Sequence, residues 1–191
     1  MKSKVIDYKP LKLTKKLSLF SLEYQNKKEE TLVWNLVSRR KVPKVISKDF
    51  TPDAVVVITW HEETKKLLLL KQYRPSVDGV LIEFPAGKID KGESIEDAAD
   101  RELYEETGLS ITKIIEISPS LYSSSGMTDE SVVFVICECS GEISTEGNED
   151  TEEIEPFWID KSEVKDLLNE GFDGSINFCV RAWMFLAFQV E

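Results

Sequence analysis

The chain has 191 residues, enough for one domain with a small additional region, and its composition of 41% hydrophobic and 31% charged residues is typical of globular proteins. The 24 Lys and Arg residues against 35 Asp and Glu residues give a net charge of −11. Such a charge disfavours general binding to DNA, RNA or an anionic membrane surface, because all three repel it.

Neither a membrane span nor a secretion signal is expected. No run approaches the roughly 18 apolar residues that a bilayer requires, and the lysine-rich start lacks the continuous apolar core of a signal peptide. Cys137 and Cys139 lie two apart in an apolar run, which favours reduced core residues on one face of a strand. His61 is the sole histidine, so a zinc site is disfavoured. These features predict a cytoplasmic protein.

The first 50 residues are predicted to form a β-rich region that is separate from the domain of residues 51–191. Two apolar-rich runs, Leu17–Gln25 and Thr31–Arg39, flank the polar segment Asn26–Glu30 and predict a β-hairpin. Lys41–Pro52 carries two prolines and several charges, which indicates a connector.

The second region alternates strand patterns with few helices. Short apolar runs bounded by polar turns predict its strands, and two longer stretches, Pro119–Glu130 and the acidic Ser140–Glu153, are predicted loops. The predicted strands are Ala54–Trp60, Leu67–Tyr73, Val80–Phe84, Ile114–Ser118, Ser131–Cys139 and Phe157–Ile159.

Three helices are predicted. The first is Ser94–Thr107, where Ser94 and Asp97 form an acidic capping box and Gly108 ends the helix. The other two lie near the end of the chain: Glu163–Glu170, with Ser162 as N-cap and Gly171 as its end, and an apolar helix near Ile176–Gln189. Strands with one inserted helix and terminal helices predict a mixed α/β sandwich of the α+β kind rather than a doubly wound sheet.

Three carboxylates share one surface of the first predicted helix. At about 100° per residue, Ile95, Ala99 and Leu103 form an apolar stripe, and Glu102 and Glu106 lie at its edge. Glu105 lies one turn from Glu102. Such a cluster is often a solvated charged face. Beside an apolar stripe, the mutual repulsion of the carboxylates favours divalent cations, and oxygen ligands suit Mg²⁺ or Mn²⁺.

The same stretch resembles the Nudix box at every fixed position of that motif. The matching residues are Gly87, Glu93, Arg101, Glu102, Leu103, Glu105, Glu106, Gly108 and Leu109. The resemblance implies a Nudix-type α/β/α sandwich with a mixed sheet, preceded here by the N-terminal hairpin region. It also implies hydrolysis of a nucleoside diphosphate linked to another moiety. It assigns Glu102, Glu105 and Glu106 as ligands of Mg²⁺ (or Mn²⁺) and Arg101 as a residue that orients a carboxylate.

The residues before the box resemble the ADP-ribose and ADP-sugar pyrophosphatase group, through KQYRP followed by IEFPAG. In that group the alanine before the box glycine, here Ala86, lends its carbonyl to a metal, and Arg74 and Glu83 line the substrate pocket. Trp34 would stack on the adenine, followed by an extended strand that carries Arg39. Ser125 replaces the proline usual in the family's later loop, and Asn35 stands where many relatives have Glu.

The resemblance also implies a general base and a homodimer. The family places its base, a glutamate, in the acidic loop before a strand, where Glu152 is the best match and Glu153 its neighbour, with Glu105 as the next candidate. In similar enzymes the N-terminal strands reach across to a partner and help to build the adenine site, so the first region is assigned to dimerisation and substrate binding.

The sequence thus predicts a Mg²⁺-dependent hydrolase that converts ADP-ribose or a related nucleoside diphosphate sugar into a nucleoside monophosphate and a sugar phosphate. Two alternatives remain open. One is a hydrolase of another derivative, such as a UDP-sugar, a GDP-sugar or a dinucleotide. The other is a non-catalytic nucleotide-binding module, which is expected to lose box carboxylates, and none is lost here.

Overall fold

A computed structural model describes residues 2–147, 153–174 and 176–190 of the chain. These residues form two compact units. The first comprises Met1–Asp53 and Ser120–Val132, and the second comprises Ala54–Pro119 and Val133–Glu191. None of the helices in the described ranges is long and apolar enough to cross a membrane.

A three-stranded antiparallel sheet forms most of the first unit, in the order β1 (Lys4–Leu13), β2 (Ser18–Gln25) and β3 (Thr31–Ser38). The predicted hairpin is confirmed, because β2 and β3 pair directly. Strand β1 was not predicted as a strand. Most of its side chains are exposed, and Pro10 within it disfavours a strand prediction.

The connector of the first unit is held by a buried lysine. Helix α1 (Lys44–Ser47) lies within the predicted connector, and the side chain of Lys44 is only 2% exposed. Its ammonium donates to Asp53 Oδ2 at 2.6 Å, to Ser131 Oγ at 2.6 Å and to the Thr51 carbonyl at 2.8 Å. Two stretches that are distant in sequence, residues 40–53 and 120–132, are therefore joined inside one unit.

Mixed strand pairing characterises the sheet of the second unit, and its main path runs β12-β6-β5-β4-β10-β8. Strand β11 pairs with β5, β7 pairs with β4, and β12 runs parallel to β6. The bounds are β4 Ala54–His61, β5 Leu67–Arg74, β6 Gly79–Glu83, β7 Ala86–Lys88, β8 Ser110–Ile117, β9 Leu121–Tyr122, β10 Ser131–Ser140, β11 Ile154–Ile159 and β12 Asn177–Phe178. Of these, β9 lies in the first unit, where it pairs with the first two residues of β10.

Helices cover both faces of this sheet. On one face, Val55, Val57 and Leu68 pack in one buried cluster with residues of helix α2 (Ile95–Thr107). On the other face, Phe185 of helix α4 (Val180–Ala187) contacts Trp60 and Phe84 through its ring. The sequence Leu67–Leu70 is buried throughout because a strand covered on both faces has no polar side. The predicted α/β/α sandwich is confirmed.

The predicted end of the penultimate helix was wrong. Gly171 lies inside helix α3 (Val164–Asp173), and Gly174 ends it with a left-handed φ of 81°. A short 3₁₀ turn, Lys161–Glu163, precedes α3, and Asp160 and Glu163 form its capping box instead of Ser162 as N-cap. A glycine in a helical pattern is only a weak stop signal, because the residue that adopts the left-handed conformation decides the end.

Candidate active site

Helix α2 begins and ends where the sequence predicted. The Ser94 hydroxyl accepts a hydrogen bond from the Asp97 N–H at 3.0 Å and donates to Asp97 Oδ2 at 2.7 Å. At the other end, Gly108 adopts φ 74° and its N–H donates to the Tyr104 carbonyl. Ala98, Ala99 and Leu103 are buried against the sheet. The anchored stripe fixes the rotation of α2 and thereby the direction of its carboxylates.

Two of these carboxylates meet the backbone of β7. A Cβ at Gly87 would lie only 1.8–2.0 Å from the carboxylate atoms of Glu102, so only a glycine leaves room for that side chain. One residue earlier, the Ala86 N–H donates to Glu106 Oε2 at 3.0 Å. Glu106 is only 4% exposed. The structure therefore brings Glu102, Glu106, Ala86 and Gly87 together.

Arg101 uses all five of its N–H donors. Its Nε and Nη2 donate to the two oxygens of Glu93, at 2.8 and 2.9 Å, and Nη2 also donates to the Lys88 carbonyl at 2.9 Å. Its Nη1 donates to Glu102 Oε1 at 2.9 Å and to Glu105 Oε2 at 3.1 Å. The guanidinium thus ties the start of α2 to two of its later carboxylates and supplies positive charge between them.

The pKa of Glu93 is lowered by this arrangement to about 2, chiefly through the hydrogen bonds from Arg101 and also through the Asp90 N–H. Hydrogen bonds to Glu93, Glu102 and Glu105 raise the pKa of Arg101 above its ordinary value, and the bond to Glu93 contributes most. Both groups therefore stay charged at neutral pH, and their pairing is a permanent feature of the site.

This lowered pKa predicts how stability depends on pH. Because the pKa of Glu93 is about 2 in the folded chain and 4.5 ordinarily, the charged pair stabilises the fold above about pH 4.5. That stabilisation is lost as the pH falls toward 2. The free energy of unfolding of Glu93→Gln should therefore fall below that of the wild type at pH 7, and the difference should shrink at pH 3.

Urea denaturation at both pH values measures that difference, with Glu116→Gln, an exposed glutamate of β8, as the control. A difference that stays constant between pH 7 and pH 3 would contradict the ion pair.

The donor set around β7 fits a hard divalent cation. It consists of carboxylate oxygens beside the backbone of β7, and Gly87 lets the Glu102 carboxylate approach that backbone closely. Among the residues that the structure describes, no three Asp, Glu, His or Cys side chains form a ready metal cage. Arg101 instead bonds to Glu102 and Glu105. The assignment of Ala86, Glu102, Glu105 and Glu106 as ligands therefore stays a prediction.

The first unit holds two of the predicted substrate residues. Trp34 on β3 is 46% exposed and lines a cavity of about 350 Å³ together with Tyr24 and Leu22 of the neighbouring strand. The remaining lining residues are Ser3, Lys4 and Val5. Arg39 follows β3 and forms an ion pair with Glu130. An exposed indole beside an apolar cavity can stack on a planar ring.

The second unit holds the other two predicted substrate residues, Arg74 and Glu83. Glu83 is 5% exposed at the end of β6, and Arg74 Nε at the end of β5 donates to its Oε2 at 2.6 Å. The arginine therefore neutralises a buried carboxylate. Of the two base candidates predicted in the acidic loop, Glu153 is held by the Tyr73 N–H, which donates to its carbonyl at 3.1 Å. Glu152 lies outside the described residues.

Sequence reasoning missed two contacts of the site. Lys88 takes part through its carbonyl, which its side chain does not reveal, and the close approach at Gly87 depends on the pairing of β7 with β4. The glycine of the box motif is the signal that could have indicated such an approach.

Comparison with known proteins agrees with this geometry. The NUDIX domain family matches residues 50–177. The chain belongs to the Nudix family. It is 42% identical over 106 residues to the ADP-ribose pyrophosphatase of Saccharomyces cerevisiae, across 53% of this chain and 46% of that protein. It is 31% identical over 142 residues to the ADP compounds hydrolase NudE of Escherichia coli, across 69% of this chain and 72% of that protein.

A solved structure shows the same fold as this Nudix chain. The crystal structure of an ADP compounds hydrolase superposes with a TM-score of 0.70 and 19% sequence identity, over 100% of this chain and 94% of that one. The chain spans about half the length of the first curated relatives that it matches, from 46% to 60%.

Proposed function

We propose that this Nudix chain hydrolyses the pyrophosphate of ADP-ribose or a closely related nucleoside diphosphate sugar to a nucleoside monophosphate and a sugar phosphate. The observation that carries the proposal is the pair of carboxylates, Glu102 and Glu106, that a complete Nudix box holds against the backbone of Ala86 and Gly87. The matched pyrophosphatase relatives support the substrate class.

The residues around β7 would hold Mg²⁺ or Mn²⁺ through the carboxylates of Glu102, Glu105 and Glu106 and the carbonyl of Ala86. When bound, such an ion neutralises charge on phosphoryl oxygens and lowers the pKa of water. The chain itself supplies orientation. Arg101 holds Glu102 and Glu105, and the Ala86 N–H holds Glu106, so these hydrogen bonds define the positions of the carboxylates before the substrate arrives.

In the proposed reaction, a water oxygen attacks one phosphorus in line with the bridging oxygen. A new P–O bond forms, the bond from that phosphorus to the bridging oxygen breaks, and the electron pair leaves with the other phosphate. A carboxylate at Glu152 or Glu153 takes the proton of the water, with Glu105 as the next candidate. The Tyr73 N–H donates to the Glu153 carbonyl, which supports a defined backbone position for Glu153.

Glu152→Gln should lower kcat by about 10²-fold or more with little change in KM, because a general base acts only in the transition state. Steady-state kinetics with ADP-ribose, alongside Mn²⁺ titration to exclude loss of a metal ligand, measures the effect. Glu155→Gln, an exposed glutamate paired with Lys71, is the matched control. If only Glu153→Gln loses activity, the base is one residue later, and if neither does, the base lies outside this loop.

Four residues are proposed to bind the substrate, on resemblance to the family. Trp34 would stack on the base, with Arg39 on the same segment, while Arg74 and Glu83 would contact the remainder of the substrate. Stacking on an indole is worth about 1–3 kcal/mol per base in single-strand binders. Because any base can stack, Trp34 alone does not select adenine, and UDP-sugars, GDP-sugars and dinucleotides are the alternative substrates.

A substrate panel tests the proposed function. The wild type and Glu106→Gln are incubated with ADP-ribose, ADP-glucose, UDP-glucose, diadenosine compounds and NADH, with Mg²⁺ and with EDTA, and the products are separated by chromatography. Release of AMP and ribose 5-phosphate from ADP-ribose with Mg²⁺ is the expected result. Preference for a UDP-sugar or a dinucleotide would overturn the assignment of ADP-ribose as the substrate. Nucleotide binding without any turnover would indicate the non-catalytic module.

The proposal includes a cytoplasmic homodimer, with residues 1–50 as the dimerisation and substrate region and residues 51–191 as the hydrolase domain. The exposed apolar side chains on the three-stranded sheet support it, among them Leu11, Leu13 and Val33. Light scattering at micromolar concentration should give the mass of a dimer. A fully active monomer would contradict it.

A further inference from the structure

The segment from Gly141 to Gly147 lies along the last turn of α2. The Ser144 N–H donates to the Thr107 carbonyl at 2.8 Å. Because the last carbonyls of a helix have no partner within the helix, this bond satisfies a group that would otherwise need water. The Gly108 N–H closes the same turn by donating to the Tyr104 carbonyl at 2.8 Å.

Two glycines allow this close approach. A Cβ at Gly147 would lie 2.8 Å from the carbonyl oxygen of Glu105 and 3.3 Å from its Cα. A Cβ at Gly108 would lie 2.8 Å from Ser144 Cβ and 3.0 Å from Ser144 N. The atoms that Gly147 faces belong to the backbone, so no side-chain rotation can relieve the contact. Any larger residue at position 147 forces the segment and the helix apart.

The turn that this segment contacts carries two of the candidate metal-binding carboxylates. Glu105 accepts a hydrogen bond from Arg101, and Glu106 accepts one from the Ala86 N–H. Helix ends fray unless their terminal groups are satisfied. If the turn of residues 104–108 frays or shifts, both carboxylates leave the positions that Arg101 and Ala86 set for them.

We propose that residues 141–147 brace the last turn of α2 and that Gly147 is a positioning residue for Glu105 and Glu106. The proposal rests on the proposed function for its effect on catalysis but not for its effect on the helix. A larger residue at position 147 can be accommodated in two ways. If residues 141–147 move, the hydrogen bond from the Ser144 N–H to the Thr107 carbonyl is lost. If the end of α2 moves instead, the carboxylates of Glu105 and Glu106 are displaced. Either response loosens the site.

The test is Gly147→Ala in the full-length chain, compared with Gly79→Ala. The control is matched because a Cβ at Gly79 would meet Val77 O at an ordinary 3.7 Å. Hydrogen exchange of the metal-free protein should be faster in peptides that cover residues 104–108. Calorimetric titration should show Mn²⁺ binding weakened by about tenfold or more, and kcat with ADP-ribose should fall by a similar factor. Gly79→Ala should match the wild type in all three measurements.

If Gly147→Ala shows the same hydrogen exchange at residues 104–108 and the same Mn²⁺ affinity as the wild type, the proposal is wrong. If the wild type hydrolyses no substrate, the proposed function fails, while exchange and Mn²⁺ binding still judge the brace. If Gly147→Ala does not fold, Ser144→Pro takes its place, because proline lacks the N–H that caps Thr107. Its exchange at residues 104–108 should also be faster, and wild-type exchange there would overturn the proposal.

Discussion

Replacing Glu106 with glutamine should lower kcat by about 10³-fold or more while the chain stays folded. Each tenfold in rate corresponds to about 1.36 kcal/mol, so this loss equals about 4 kcal/mol of transition-state stabilisation. The glutamine has the same shape and can still accept the Ala86 N–H bond, so the change removes the negative charge and leaves the packing. Rate measurements with saturating Mg²⁺, together with circular dichroism, test the prediction.

Glu96→Gln is the matched control for this variant. Glu96 lies in the first turn of the same helix and is exposed. The control should keep the wild-type rate. A folded Glu106→Gln protein with near-normal turnover would contradict the metal assignment. Glu102→Gln should behave like Glu106→Gln, and the double variant should lose much less than the product of the two losses, because both carboxylates act as a unit.

Replacing Lys44 with methionine should destabilise the fold by about 2–3 kcal/mol, because it removes one of the two cations that pair with the buried carboxylate of Asp53. Asp53 is 8% exposed and keeps only the Arg40 Nε and the Ser131 N–H as donors once the ammonium is gone. The change also removes the three hydrogen bonds that the Lys44 ammonium donates to Asp53, Thr51 and Ser131. The free energy of unfolding from urea denaturation measures the effect.

Lys48→Met is the control, since Lys48 lies at the end of the same helix and is exposed. It should change the free energy of unfolding by less than about 0.5 kcal/mol. The double variant Lys44→Met/Asp53→Asn should recover part of the loss, because it also removes the buried negative charge that has lost its lysine. A loss of under about 1 kcal/mol in Lys44→Met would show that Lys44 is not a necessary partner of Asp53.

Helix α2 shows which parts of the site local sequence could predict. Its start depends on the Ser94 hydroxyl and its end on the left-handed φ of Gly108, and both are properties of residues close in sequence. The spacing of Glu102 and Glu106 follows from 3.6 residues per turn. The motif therefore predicted the helix, its buried stripe and the shared surface of the carboxylates, and the structure confirms all three.

Other parts depended on contacts that no short stretch contains. Strand β7 has three residues, and it is a strand only because β4 pairs with it. The predicted loop after residue 119 belongs to the first unit through Ser131 and its contact with Lys44, 87 residues away in sequence. The sequence around Lys44 looks like a solvated connector, since burial of a lysine is decided by where its partners fold.

The amino-acid sequence by itself determined the family, the mixed α/β class and the central helix, and its list of site residues stays a prediction. These follow from motif spacing, apolar periodicity and capping, which act within a few turns or strands of the chain. The tertiary structure decided that Glu102 lies over Gly87, that Arg101 reaches Glu93 and Lys88, and that Gly147 lies against Glu105. Those contacts join residues from separate elements, so strand pairing and core packing determine their distances.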